Sequence, residues 1–503
     1  MRLILSPREI ICYVTFLIFH SLQIFFFCSL SRFPSHFSRS KIMQLIKIAI
    51  EGCCHGELNK IYQRLSDIPD ISLLLICGDF QSIRNESDLQ SISVPEKYKR
   101  MADFHEYYKG ERKAPILTIF IGGNHECSSY LQELKYGGWV APNIYYLGEF
   151  GSLWYNGIQI TGWSGIFNYH SFVNQNIQME KIPYDQGSLR SVYHTKLQNF
   201  LKMYMMNHDM DIIMSHDWPV GIERYGNQSK LIKMKPFFKE DIKRGELGSP
   251  LNKFLIHYLR PRNWYSGHLH VKFEAIIKKD LGKINDNELE LNMDDDEEEE
   301  EEEMVKNKQE ISLDMDDDDS GMDSNIQVGF EETFHFVQSG GSNKKLKTEL
   351  TPKRGLCEHD TKFLALDKCG NKRNFLEVQT VETTHPTHPS AGNSRLYFSK
   401  RAIAINRVVE SYLQQHQEEF YKIDTKEILR NPHNFPLVNE LMRLVDLEAK
   451  KLSTSMNDEE FIVPENFEII APVKCKDELK YYPNNQTQEY CEKFNIPKPN
   501  CLL

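Results

Sequence analysis

Five short apolar runs, each ending on a residue able to hold a metal or a proton, constrain this chain more than any other feature. Residues 45–50 (LIKIAI) lead into Cys53-Cys54-His55, and 71–77 (ISLLLIC) lead into Gly78-Asp79. Residues 116–121 (ILTIFI) lead into Gly122-Gly123-Asn124-His125-Glu126. DIIM runs into Ser215-His216-Asp217, and NWYS into Gly267-His268-Leu269-His270. Continuous β-branched runs of this length read as buried strands. Leu58, Ile61, Tyr62 and Leu65 recur at helical spacing after the first run, so the pattern is α/β. In open α/β sheets ligands bind beyond the carboxyl ends of the strands. Any one of these stations alone is compatible with a turn and a hydrogen-bonded strand-end residue. Five in chain order point to one site.

The side chains define the chemistry of that site. His55, Asp79, Asn124, His216, His268 and His270 offer imidazole nitrogens, one carboxylate and one amide oxygen. That mixture suits Mn2+, Fe2+ or Zn2+. It lacks the cysteine pairs of a structural zinc site. Six ligands exceed the need of one tetrahedral ion and fit two ions, with Asp79 as the shared carboxylate. Two such ions clamp a phosphate and orient a water for in-line attack. His125 is then the spare imidazole beside them, suited to act as general acid to the leaving oxygen. His268 and His270, two apart after a strand, project to one side.

The remaining chain sets boundaries. Its 503 residues carry a formal net charge of -11 and 11 cysteines. Much of the negative charge lies in 294–303 and 314–319. Such a run cannot bury apolar surface and reads as a disordered insertion. The cysteines form no framework, which suits a reducing compartment. Residues 1–42 include an apolar stretch, 10–30, about as long as a membrane span. It reads either as a signal anchor or as an extension absent from the working protein, because Met43 stands two residues before the first strand. A membrane association depends on that extension alone. The expected domains are therefore 1–42, an apolar extension; 43–280, catalytic; 281–355, an acidic insertion and basic linker; and 356–503, a smaller C-terminal domain. The linker stretch 343–354 is basic, like a nuclear-import patch or a plain solvated linker. Further strands are expected at 144–147, 158–163, 361–367 and 375–381, and helices at 250–259 and 402–415.

The order of stations resembles the signature of the metallophosphoesterase (calcineurin-like) superfamily, D-x-H, GD, GNHE, H, GHxH, with Cys53 standing where that pattern has Asp. GCCHGELNKIY, CGDFQSIRN, GGNHE, YGGWVAPNIYYLG, SHDWP and SGHLHVKF together resemble the RNA lariat debranching enzymes, which carry the Cys. The resemblance covers about 44–275 and returns in TKFLALDKCGNKRNFLEV. It implies a central β-sandwich flanked by helices with a smaller C-terminal domain. It also implies hydrolysis of the 2′-5′ phosphodiester at the branch of excised intron lariat RNA, in the nucleus, with one or two divalent ions per site. By the same resemblance the six residues above are metal ligands, with Cys53 beside the first ion, and His125 protonates the departing 2′-oxygen. Cys53 is otherwise a small buried hydrophobe. A metallophosphatase of other specificity on the same scaffold is the alternative reading.

Branched RNA presents splayed bases that proteins read by stacking and edge hydrogen bonds. Residues 168–200 form an irregular insertion rich in such groups, among them Tyr184, Arg190, Tyr193 and His194. PYDQGSLRSVYHTK within it resembles that family's recognition loop. A surface loop with packed aromatics is the alternative. Arg84 and Asn85, just after Asp79, are candidates to meet phosphate, against an ordinary ion pair for Arg84.

Overall fold

The computed structural model describes residues 45–174, 180–208, 210–279, 357–430, 432–499 and 501. The extension 1–42, the insertion 281–355 and residues 175–179 of the expected recognition loop lie outside them. Among the described residues, no helix is long and apolar enough to cross a membrane.

Two sheets face each other. One has six strands in the order β12-β1-β2-β3-β5-β4 and the other seven in the order β10-β11-β9-β8-β7-β6-β13. In chain order the strands are β1 (Leu45–Glu51), β2 (Ile71–Ile76), β3 (Thr118–Phe120), β4 (Gly138–Ala141), β5 (Ile144–Tyr146), β6 (Phe150–Tyr155) and β7 (Ile158–Trp163). They continue with β8 (Ile212–Ser215), β9 (Asn263–Ser266), β10 (Phe273–Ile277), β11 (Thr361–Ala365), β12 (Leu376–Glu382) and β13 (Tyr397–Phe398). The helices used below are α1 (Leu58–Ser66), α2 (Ser128–Glu133), α3 (Leu197–Tyr204), α4 (Gln228–Met234), α5 (Pro250–Leu259), α6 (Lys400–Phe420), α7 (Pro436–Ser455) and α8 (Asn485–Phe494).

The period of two along β1 explains the layering. Ile46, Ile48 and Ile50 point into the space between the sheets, against Leu153, Ile160, Ile212, Met214 and Leu364. Ala49 points the other way, onto Leu58, Ile61 and Leu65 of α1. A strand covered on both faces reads as a near-continuous apolar run, and each fully buried Ile or Leu contributes about 1.5–3 kcal/mol. The far face of the second sheet, with Ile213, Trp264 and Phe363, packs on α3, α5, α6 and α7.

Parallel pairing aligns the strand ends. β1 pairs in parallel with β2, β2 with β3, β7 with β8 and β8 with β9. The loops after β1, β2, β3, β8 and β9 therefore open along one edge of the sandwich. The C-terminal segment is woven into both sheets. β12 lies antiparallel on the outer edge of β1, and β11 fits between β9 and β10. On α8, Gln486 donates to the Trp139 carbonyl and accepts from its N–H, both at 2.8 Å, satisfying the free edge of β4.

Candidate metal centre

The five strand-end loops meet, and Asp79 sits at their centre with its two carboxylate oxygens pointing in different directions. Oδ2 lies 3.6 Å from His55 Nε2, and Oδ1 lies 3.4 Å from His216 Nε2. Oδ1 also accepts from the His125 backbone N–H at 2.9 Å, which fixes the rotamer. On one side, His55 Nε2 is 3.1 Å from His270 Nε2, and Cys53, His55, Asp79 and His270 present ligand atoms within 4.8 Å of one another. On the other, Asn124 Oδ1 is 3.1 Å from His216 Nε2, and the His268 ring centroid is 5.0 Å from that of His216. The six expected ligands thus form two groups that share one carboxylate.

Backbone geometry turns the ligands back over the sheet edge. His55, Asp79, His268 and His270 all have positive φ, between 46° and 64°. Non-glycine residues adopt this region sparingly, and clusters of them occur where surrounding structure over-determines a functional geometry. Two glycines make room. A Cβ on Gly78 would lie 2.2 Å from His216 Nδ1, and one on Gly123 would lie 2.2 Å from Asp79 Oδ1.

The hydrogen bond behind His216 turns its other ring nitrogen toward two oxygens. His216 Nδ1–H donates to the Cys77 carbonyl at 2.7 Å, so a neutral His216 aims a lone pair at Asp79 Oδ1 and Asn124 Oδ1. Ligand imidazoles held this way have a fixed tautomer and a basic free nitrogen. Burial of Asp79 would raise its pKa, but the imidazoles of His216, His125 and His55 hold it well below the usual carboxylate range. Burial lowers His55 to about 4 and drives His270 well below its ordinary value, so both rings are neutral and free to coordinate at neutral pH. Burial also lowers the tendency of His216 to charge, but Asp79 outweighs it and raises His216. Convergent lone pairs around one buried carboxylate are relieved by cations, and the donor set fits divalent ions of the imidazole-binding kind.

Cys53 is buried, and its Sγ accepts from the His268 N–H at 3.0 Å. Burial, then the charges of Asp79 and Glu51, push its thiol well up. His125 stands beside the cluster, its ring centroid 5.9 Å from that of His55. Its Nδ1–H donates to the Ser93 carbonyl at 3.0 Å, and Nε2 lies 3.1 Å from Asn124 Nδ2.

Two residues were missed from sequence. Glu126 accepts from the N–H groups of Phe80, Gln81 and Gly123, at 2.7, 2.9 and 3.1 Å, and so ties the loop after β2 to the loop after β3. Its place in GGNHE was visible, but nothing local says that its carboxylate faces backbone donors 45 residues away. Ser93, which supplies the carbonyl that orients His125, has no sequence signal at all.

The expected substrate residues fare unevenly. Arg84 is corrected: it is fully buried, and Asp88 and Glu133 hold its guanidinium from both sides with four hydrogen bonds, leaving no path to a phosphate. Asn85 is corrected too. Its Oδ1 caps the following turn by accepting from Ser87 and Asp88, and its Nδ2 donates to the Pro472 carbonyl. Both lie in the chain beside Asp79, but the loop after β2 carries them inward. Tyr193 and His194 are buried and line a cavity of about 560 Å³ together with Gly122, Gly123 and Glu126, next to the catalytic loop. Tyr184 is half-buried and donates to Gln132 Oε1 at 2.5 Å. Arg190 is exposed.

Residues 46–272 match the family described as calcineurin-like phosphoesterase, and 358–499 match the lariat debranching enzyme C-terminal domain. A lariat debranching enzyme of Drosophila melanogaster is 37% identical over 477 residues, covering 91% of this chain and 79% of that protein. One from Schizosaccharomyces pombe is 36% identical over 389 residues, covering 76% of this chain and 83% of that protein. The chain belongs to the lariat debranching enzyme family. A further debranching enzyme, from Danio rerio, is 49% identical over 462 residues, 90% of this chain and 66% of that protein. The strand-end cluster falls wholly inside the calcineurin-like phosphoesterase match, and the debranching-enzyme C-terminal match contains β11 to β13, α6, α7 and α8. Match and donor cluster together make this a divalent-metal site.

Proposed function

We propose that this chain hydrolyses the 2′-5′ phosphodiester at the branch point of excised intron lariat RNA. The observation that carries the reading is Asp79, one buried carboxylate whose two oxygens serve two groups of imidazoles, within a family whose named members are lariat debranching enzymes. Divalent ions at these donors would supply charge neutralisation for the phosphate and a polarised water. Cys53, His55 and His270 would hold one ion, and Asn124, His216 and His268 the other, with Asp79 shared. Imidazole with a carboxylate and an amide selects among Fe2+, Zn2+ and Mn2+, and the buried Cys53 favours the softer of these.

The protein's own groups do the rest. Attack of water on phosphorus breaks the P–O2′ bond and leaves the phosphate on the 5′-oxygen of the other strand. The departing 2′-oxygen needs a proton; His125 supplies it from Nε2 in its imidazolium form, since Nδ1–H is committed to the Ser93 carbonyl and Nε2 of the neutral ring accepts from the Asn124 amide. Asn124 positions both His125 and His216, one with each end of its amide. Tyr193 and His194, lining the cavity beside Gly122 and Gly123, stack against a base at the branch, and Arg190 reaches it from solvent. We place this work in the nucleus, where introns are excised.

The test uses a synthetic branched RNA, a linear RNA and an aryl phosphate, each offered after chelation and add-back of single metals. Cleavage confined to the branched RNA, restored by metal, is the expected result. Equal turnover of the aryl phosphate would transfer the protein to the phosphomonoesterases.

A further inference from the structure

The segment that follows β11 crosses from one sheet to the other at the strand-end edge. The Leu366 N–H donates to the Ser266 carbonyl at the end of β9, at 3.2 Å, and the Cys369 N–H donates to the Cys53 carbonyl in the loop after β1, at 3.0 Å. Between these anchors Lys368 pairs with Cys53 in an isolated parallel β-bridge. Gly52 lets the two backbones touch, since a Cβ there would lie 2.4 Å from the Asp367 carbonyl oxygen. Lys368 is thus fixed between the strand end that leads to His268 and His270 and the loop that carries His55. A cleft of about 940 Å³, lined by residues of α4, by Asp367 and by Arg373, reaches His270, so the approach to this side of the cluster is open.

Lys368 is half-buried. Burial does most to lower His55 and His270, and the charge of Lys368 lowers both further. Among the described residues its ammonium makes no ion pair or hydrogen bond. Asp367, beside it in the chain, gives Oδ1 to the Lys368 backbone N–H at 2.7 Å and to Arg373 Nη1 at 3.0 Å. Glu51, buried in β1, has no hydrogen-bond partner on either oxygen and does not take the ammonium.

An ammonium in this place opposes the cation that His55 and His270 are built to hold. The opposition ends when an anion lies between the two charges, and phosphate is an anion that lysine binds as a point charge. A phosphodiester carries one negative charge and gains a second as hydroxide adds to phosphorus. A fixed positive charge beside those oxygens therefore binds the transition state more tightly than the substrate. We propose that the Lys368 ammonium holds a non-bridging oxygen of the scissile phosphate on the His55 and His270 side and stabilises the charge gained there in the transition state. Lys368 stays protonated throughout and exchanges no proton with the substrate. The proposal rests on the reading of the site as a debranching centre.

The experiment compares wild type with Lys368→Met, which keeps the length of the side chain without its charge, and Lys368→Arg, which keeps the charge. On a synthetic branched RNA with manganese, Lys368→Met should lower kcat about 10–100-fold, the scale of a lost hydrogen bond to a charged group, with KM changed little. Bound manganese, read by elemental analysis, should equal or exceed that of wild type, because a repelling charge is gone. Calorimetric titration of the manganese-loaded protein with inorganic phosphate should show binding weakened by about the same 10–100-fold. Lys368→Arg should recover most of both losses. Unchanged phosphate affinity in Lys368→Met would overturn the proposal whatever happens to kcat, and so would a loss that Lys368→Arg shares in full. A wild-type protein that leaves branched RNA intact would defeat the debranching reading alone. Phosphate affinity that falls in Lys368→Met and returns in Lys368→Arg would still put Lys368 on the phosphate.

Discussion

The Arg84 cluster and the Asp79 cluster are both knots of charge taken out of water, and they are built on opposite plans. Around Arg84 four of the five guanidinium N–H groups meet a carboxylate oxygen. Nε and Nη2 donate to Asp88 at 2.9 and 3.0 Å, Nη1 and Nη2 donate to Glu133 at 2.7 and 3.1 Å, and Glu133 accepts in addition from the Tyr482 N–H. The Tyr130 ring closes the face of the guanidinium at 4.0 Å. Around Asp79 the partners are not matched in this way: one nitrogen, His216 Nε2, meets two oxygens, and His55 Nε2 meets another imidazole nitrogen. Buried polar groups that satisfy one another hold a fold together, whereas a buried set short of positive charge is arranged for a ligand. Residue type alone does not separate the two. The balance of donors and acceptors does.

The largest effect tests the unbalanced cluster. Asp79→Asn removes the shared charge while keeping the shape. It should cost at least about a thousandfold in branched-RNA cleavage, by the scale of losing electrostatic stabilisation at a phosphoryl centre, and should strip bound metal as read by elemental analysis. His125→Gln should cost about 10²–10⁴-fold in kcat with metal content kept. If Asp79→Asn retained a full complement of two ions, the bridging role would be wrong. If His125→Gln cleaved at the wild-type rate, the proton would have to come from elsewhere.

The balanced cluster should answer in stability instead. Arg84→Met leaves Asp88 and Glu133 as buried, unpaired carboxylates, and breaking a buried pair costs about 3–5 kcal/mol. Urea unfolding should show that loss, while metal content per folded molecule stays that of wild type. A variant that unfolds normally but fails to cleave would return Arg84 to the substrate.

Arg84 also shows where reading the chain stops. The strands were legible because a run such as LIKIAI has no other use than burial, and the stations because a glycine, a histidine or both follow each run within a few residues. The strand at 116–121 is shorter than its apolar run, Thr118–Phe120, and β4 and β6 hid behind glycines. The inward course of the loop after β2 was not legible, because the partner that buries Arg84 is 49 residues away. The positive φ of His55, Asp79, His268 and His270 was equally hidden, since the loops adopt it only when all five strand ends are in place. Segments 361–367 and 375–381 announced themselves as strands, but nothing local said that they complete the two catalytic sheets.

A third buried cluster sharpens the contrast at smaller cost. Glu410, on α6, receives Lys202 Nζ at 2.6 Å and Lys135 Nζ at 2.9 Å, and so pins the C-terminal segment to the chain just after α2. Burial would raise Glu410, but Lys135 and Lys202 hold it down at about 2. The free carboxylate titrates near 4.5, so between these values the unfolded chain binds the extra proton. The stabilisation is therefore complete above about pH 4.5 and is lost as pH falls toward 2. Two and a half pKa units correspond to about 3 kcal/mol. Glu410→Gln should be less stable than wild type by about that amount at neutral pH, and the gap should close progressively from pH 4.5 downward. Urea midpoints taken at stepped pH measure it. A gap that stayed constant through that window would mean that the two lysines, rather than the ionised carboxylate, set the energy of the cluster. It would then resemble neither the matched plan of Arg84 nor the cation-seeking plan of Asp79.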